Sequence, residues 1–108
     1  MKKAIADQLD LPVRKRGANS YLVHVGDAEK IIAFCEKLRL VILGIEGFTE
    51  EGLRLVPNME LIADFSTLSD LPSSERCSQS VKSAELFLKE IPKDPNLLLN
   101  FELEEVQG

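Results

Sequence analysis

Tryptophan is absent, histidine occurs once, and only two cysteines are present in a chain of 108 residues. A Ser-His or Cys-His nucleophile pair would have to use His24, and neither a G-x-S-x-G elbow nor a papain-like cysteine context accompanies it. His24 therefore reads as an ordinary strand residue. Cys35 and Cys77 lie far apart, with no second cysteine or histidine at ligand spacing beside either, which excludes a C-x-x-C redox pair and a zinc-ligand pattern. Both read as reduced, core-packed thiols. Gly44 and Gly47 fit no phosphate-cradling glycine motif. The strongest apolar run, residues 40–43, stops at Gly44, far short of the ~20 residues that a membrane-spanning helix needs. The start Met1-Lys2-Lys3 has the charge of a signal-peptide n-region, but Asp7 and Asp10 interrupt any apolar segment behind it. A cytoplasmic protein without cofactor or metal is the expectation.

What is present is a globular composition: 44% hydrophobic and 29% charged residues, within the size of one domain. Residues 1–19 read as a basic N-terminal arm and residues 20–108 as the folded domain. Residues 20–25 are rich in Tyr and Val and end at Gly26-Asp27, a strand handing over to a helix with Asp27 as N-cap. Ala28, Ile31, Ile32, Cys35 and Leu38 then form one stripe at helical spacing. Residues 40–48 predict a strand apolar on both faces, with a turn at 49–52 and a partner strand at 53–56. After Pro57-Asn58, Met59, Leu61, Ala63 and Phe65 alternate with Glu60, Ile62 and Asp64. That alternation predicts a further strand, with a short helix capped by Asn58 as the competing reading. Residues 66–80 contain six serines and Pro72 and read as a loop. Cys77, Val81, Ala84, Leu88 and Ile91 mark a second helix, stopped by Pro92 and Pro95. Leu97, Leu99, Phe101 and Leu103 alternate with Leu98, Asn100, Glu102 and Glu104 in a last strand. The expected fold is α+β, in the order β-α-β-β-β-α-β, with a mostly antiparallel five-stranded sheet and two helices on one face.

Charge is unevenly distributed. The total is -5. Lys2, Lys3, Arg14, Lys15 and Arg16 oppose only Asp7 and Asp10 in residues 1–16, a net of +3 that leaves -8 for the remainder. Residues 44–75 hold Glu46, Glu50, Glu51, Glu60, Asp64, Asp70 and Glu75 against Arg54 alone. A body of this sign does not bind nucleic acid or an anionic membrane, and it attracts a basic protein. Glu46, Glu50, Glu51, Glu60, Asp64 and Asp70 are the candidate partner-binding residues, as acceptors for Lys and Arg. Glu46, Glu60 and Asp64 also allow a rival reading, a metal-dependent hydrolase using strand carboxylates. A second rival is a structural or regulatory homodimer pairing through residues 97–106, with Leu98 on the outer face.

The stretch Leu43-Gly44-Ile45-Glu46-Gly47-Phe48, followed by Leu55-Val56-Pro57-Asn58-Met59-Glu60-Leu61-Ile62-Ala63-Asp64-Phe65-Ser66, resembles small acidic bacterial immunity proteins of polymorphic-toxin and contact-dependent inhibition systems. The resemblance covers residues 28–103 in layout and is sharpest in this central segment. It implies a non-enzymatic inhibitor that binds a cognate toxin domain, commonly a nuclease, and blocks its active site or substrate groove. The expected state of the chain by itself is a monomer or weak homodimer.

Overall fold

The computed structural model describes residues 14–15, 20–65 and 71–105. Strand β1 is the two-residue Arg14–Lys15, and β2 is Ser20–His24. A 3-10 turn, Val25–Asp27, leads into helix α1, Ala28–Leu38. Strands β3, Leu40–Glu51, and β4, Arg54–Asp64, form a long hairpin. Helix α2, Ser73–Glu90, and strand β5, Leu97–Glu105, complete the described chain. The sheet order is β1-β2-β5-β3-β4, with every neighbouring pair antiparallel. Because β5 lies between β2 and β3, those two strands are parallel and α1 crosses between them. Likewise α2 carries the chain from β4 past β3 to β5. Two split β-α-β units thus interlock through the hairpin.

The α+β class, the antiparallel pairing and the two helices agree with the sequence reading, but the order β-α-β-β-β-α-β does not. Among the described residues four full strands form, not five. The segments expected as separate strands at 53–56 and 59–65 are one strand, and the helix alternative at Asn58 does not occur. Pro57 does not end the strand because β4 lies at the sheet edge, where a missing backbone N–H is tolerated. Instead of turning, the chain absorbs extra length as a bulge. Glu46 pairs with Ile62 but Gly47 pairs with Asn58, so Met59, Glu60 and Leu61 have no opposite residues on β3. The short β1 adds at the far edge, within the segment expected as an arm; the remainder of that arm lies outside the described residues.

Both helices serve one core. Ile31, Ile32 and Cys35 of α1 and Val81, Ala84 and Leu88 of α2 join Tyr21, Val23, Ile45, Leu99, Phe101 and Leu103 in a single buried cluster. On the opposite face Leu22, Phe48 and Leu98 form a smaller one, with Leu55 against it. Asp27 occupies the N-cap position of α1 without a side-chain capping bond, and its carboxylate lies 3.6 Å from Lys30 Nζ. Arg39 ends that helix in the left-handed region at φ 58°, donating its N–H back toward the last turn. Helix α2 starts within the serine-rich segment read as loop. One of those serines, Ser80, is fully buried, and its hydroxyl accepts from Ile42 N–H and donates to Cys77 O, each at 3.0 Å. No helix among the described residues is long and apolar enough to cross a membrane.

Candidate functional site

The candidate carboxylates gather on the β3–β4 hairpin. Two residues, Gly52 and Leu53, make its turn, with Gly52 at φ 63° where a side chain would be strained. Glu51 stands opposite Arg54, Glu50 opposite Leu55, Glu46 opposite Ile62, and Asp64 opposite Gly44. Directly opposed residues share a face. Leu55 packs on the smaller cluster, which places Glu50 on the face away from the helices. Glu46 is in register with Asn100 and through it with Leu22, so it shares that face. Asp64, two residues from Ile62, lies there too. Glu60 sits in the bulge, where its N–H donates to Asn58 Oδ1 at 3.1 Å. Glu46, Glu51, Glu60 and Asp64 are exposed and Glu50 is half-buried. Asp70 lies outside the described residues.

The bulge changes which side chains reach solvent. Alternation predicts Met59 on the same side as Leu61, Ala63 and Phe65. The last three are partly buried against the main core, but Met59 is 75% exposed. The extra residues break the period of two, and Leu61 alone turns inward across Gly47. A Cβ built on Gly47 would stand 2.7 Å from Leu61 Cβ, so glycine is what permits this approach. Ile62 is 46% exposed, which leaves two large apolar side chains on the edge strand among carboxylates. The missed signal was the pair Gly47 and Asn58, which mark the close approach and the Asx turn of the bulge.

Asn100 is a second feature that the sequence did not reveal. It lies on the outer-face row between Leu22 and Glu46, is buried, and its Oδ1 has no hydrogen-bond partner. Leu98 occupies the expected face but is buried with Phe48 and Leu22. Strand β5 is paired on both sides over Leu98–Glu102, which leaves that stretch no free edge for the rival homodimer through residues 97–106.

Burial pushes the Cys35 thiol up to about 12, with the charge of Cys77 adding to the shift. Burial also raises Cys77, against a lowering by Arg39. Cys77 Sγ donates to Cys35 O at 3.8 Å, and both cysteines are buried and free. Such protonated thiols are packing groups rather than nucleophiles. His24 is exposed at the end of β2. No group of three or more His, Cys, Asp or Glu side chains suited to a metal occurs among the described residues, so Glu46, Glu60 and Asp64 are not brought together as a metal site. A groove of about 400 Å³ runs between α1 and α2, lined by Ile32 and Leu88 and rimmed by Glu29, Glu36, Glu85 and Lys89. It contains no hairpin residue. The chain matches no protein-family model, no curated protein and no solved structure.

Proposed function

We propose that the protein is a non-enzymatic, protein-binding inhibitor of the cytoplasm, an immunity protein that neutralises a cognate nuclease-type toxin. The observation that carries this reading is the display of Glu46, Glu51, Glu60 and Asp64 as exposed carboxylates on the hairpin that ends the sheet at β4. A nuclease surface that meets phosphate is basic, and an acidic hairpin competes for it by the same electrostatics. Single-sign charge on such a surface accelerates encounter by roughly 10 to 10³-fold, and the effect falls with salt. The resemblance of residues 43–66 to immunity proteins agrees with this. Two free, buried cysteines suit a reducing compartment.

The test is to purify the chain with the toxin domain encoded beside it and to measure complex formation and nuclease activity together. Stoichiometric complex with loss of activity is the expected result. Full nuclease activity in the presence of excess chain would remove the proposal.

A further inference from the structure

The middle of β4 is built to present side chains rather than to accept another strand. A free sheet edge invites strand addition when its N–H and C=O groups form an unbroken row. Here Pro57 removes one donor, and the bulge at Met59, Glu60 and Leu61 displaces the backbone from the ladder. The same bulge turns Met59 outward, three residues from the exposed Ile62. Exposed methionine is an adaptable contact, and isoleucine beside it supplies a stiff one. Glu60 lies between them in the chain and Glu46 directly opposite Ile62.

Resting on the reading of an inhibitor that binds a basic protein, we infer that Met59 and Ile62 are the apolar anchors of its interface, with Glu46 and Glu60 as the charged rim. The occupant is a protein surface with an apolar depression bordered by Lys and Arg. Charge disfavours a symmetric pairing of two copies through this patch, because it would bring together segments that each carry seven carboxylates against Arg54 within residues 44–75. Buried apolar anchors inside a polar rim are the usual arrangement of residues that dominate binding energy.

The test needs no toxin. A short peptide of lysine and leucine, and its counterpart with serine in place of leucine, are titrated into labelled protein at low salt while amide chemical shifts are followed. The expected result is saturable shifts centred on Glu46 and residues 59–62, about tenfold weaker binding of the serine peptide, and a similar loss in the Met59→Ser/Ile62→Ser double variant. Met59 is largely exposed and Ile62 about half, so the variant remains folded, which its unfolding midpoint, measured alongside, verifies. Equal affinity for the two peptides, or shifts spread evenly over the acidic surface, would overturn the inference. New exchange protection along the β4 backbone would do so as well, by showing strand addition. A concentration-dependent dimer that the double variant abolishes would assign the patch to a second copy and also overturn it. A positive peptide result without toxin binding removes the toxin proposal alone, and toxin neutralisation without the peptide result removes only these anchors.

Discussion

Ser80→Ala tests how α2 is fastened to the sheet. The hydroxyl accepts the Ile42 N–H at 3.0 Å, in a region where β3 slips register against β5 between Ile42 and Gly44. Both residues are fully buried, so water cannot replace the lost acceptor. Orphaning a buried amide costs about 1–3 kcal/mol. Alanine returns up to about 0.5 kcal/mol through its better helix propensity, leaving a net loss of about 0.5–2.5 kcal/mol. For a domain of this size that lowers the melting temperature by roughly 2–15 °C. Urea unfolding followed by circular dichroism should show a lower midpoint at unchanged m, the signature of lost stability rather than altered compactness. Hydrogen exchange should show reduced protection at the Ile42 amide. Ser78→Ala, exposed on the same helix, serves as the control and should shift stability by no more than about 0.5 kcal/mol. Equal stability of the Ser80 variant and wild type would refute this role.

Three further outcomes are expected. Gly47→Ala should destabilise by about 1–3 kcal/mol in urea unfolding, because its new Cβ meets Leu61 Cβ at 2.7 Å in a bulge with little room to move; a neutral result would mean that Leu61 is not held there. Arg39→Gly should stabilise by up to about 1 kcal/mol in thermal unfolding, since glycine removes the left-handed strain at φ 58°, and destabilisation would show that the arginine side chain contributes more than its backbone strain removes. The raised Cys35 thiol makes the folded state hold a proton that the unfolded chain releases, so its contribution is full below about pH 9 and is lost toward about pH 12. The unfolding free energy from urea titrations should therefore fall between those values by up to about 1.4 kcal/mol per pH unit, and Cys35→Ala should flatten that fall relative to wild type.

Helical periodicity was legible because it reports a face directly. Ala28, Ile31, Ile32 and Cys35, and likewise Cys77, Val81, Ala84, Leu88 and Ile91, are buried as their spacing predicts, whereas Leu38, read into the same stripe, is exposed at the last position of α1. Strand alternation was legible in the same limited sense: Leu97, Leu99, Phe101 and Leu103 share the main core. Alternation identifies a face but not a neighbour, and nothing in residues 97–105 says that they insert between β2 and β3. Pro57 misled because its meaning depends on whether its strand is central or at an edge. The serines of α2 misled because a hydroxyl that disfavours an isolated helix is useful where it serves a strand amide, as Ser80 does. For the site, summing charge along the chain located the acidic hairpin. It did not reveal the bulge, because three added residues reset which side chains point outward, and Met59 consequently left the core.

The most direct measurement is the association rate of the chain with the basic toxin domain that the proposal requires as ionic strength is raised, for wild type and for the Glu46→Lys/Glu51→Lys/Glu60→Lys variant. If the acidic hairpin guides binding, the wild-type rate falls steeply with salt, while the variant associates at least about tenfold more slowly at low salt and has a flatter salt dependence. Equal rates for the two proteins at low salt would contradict the proposed surface.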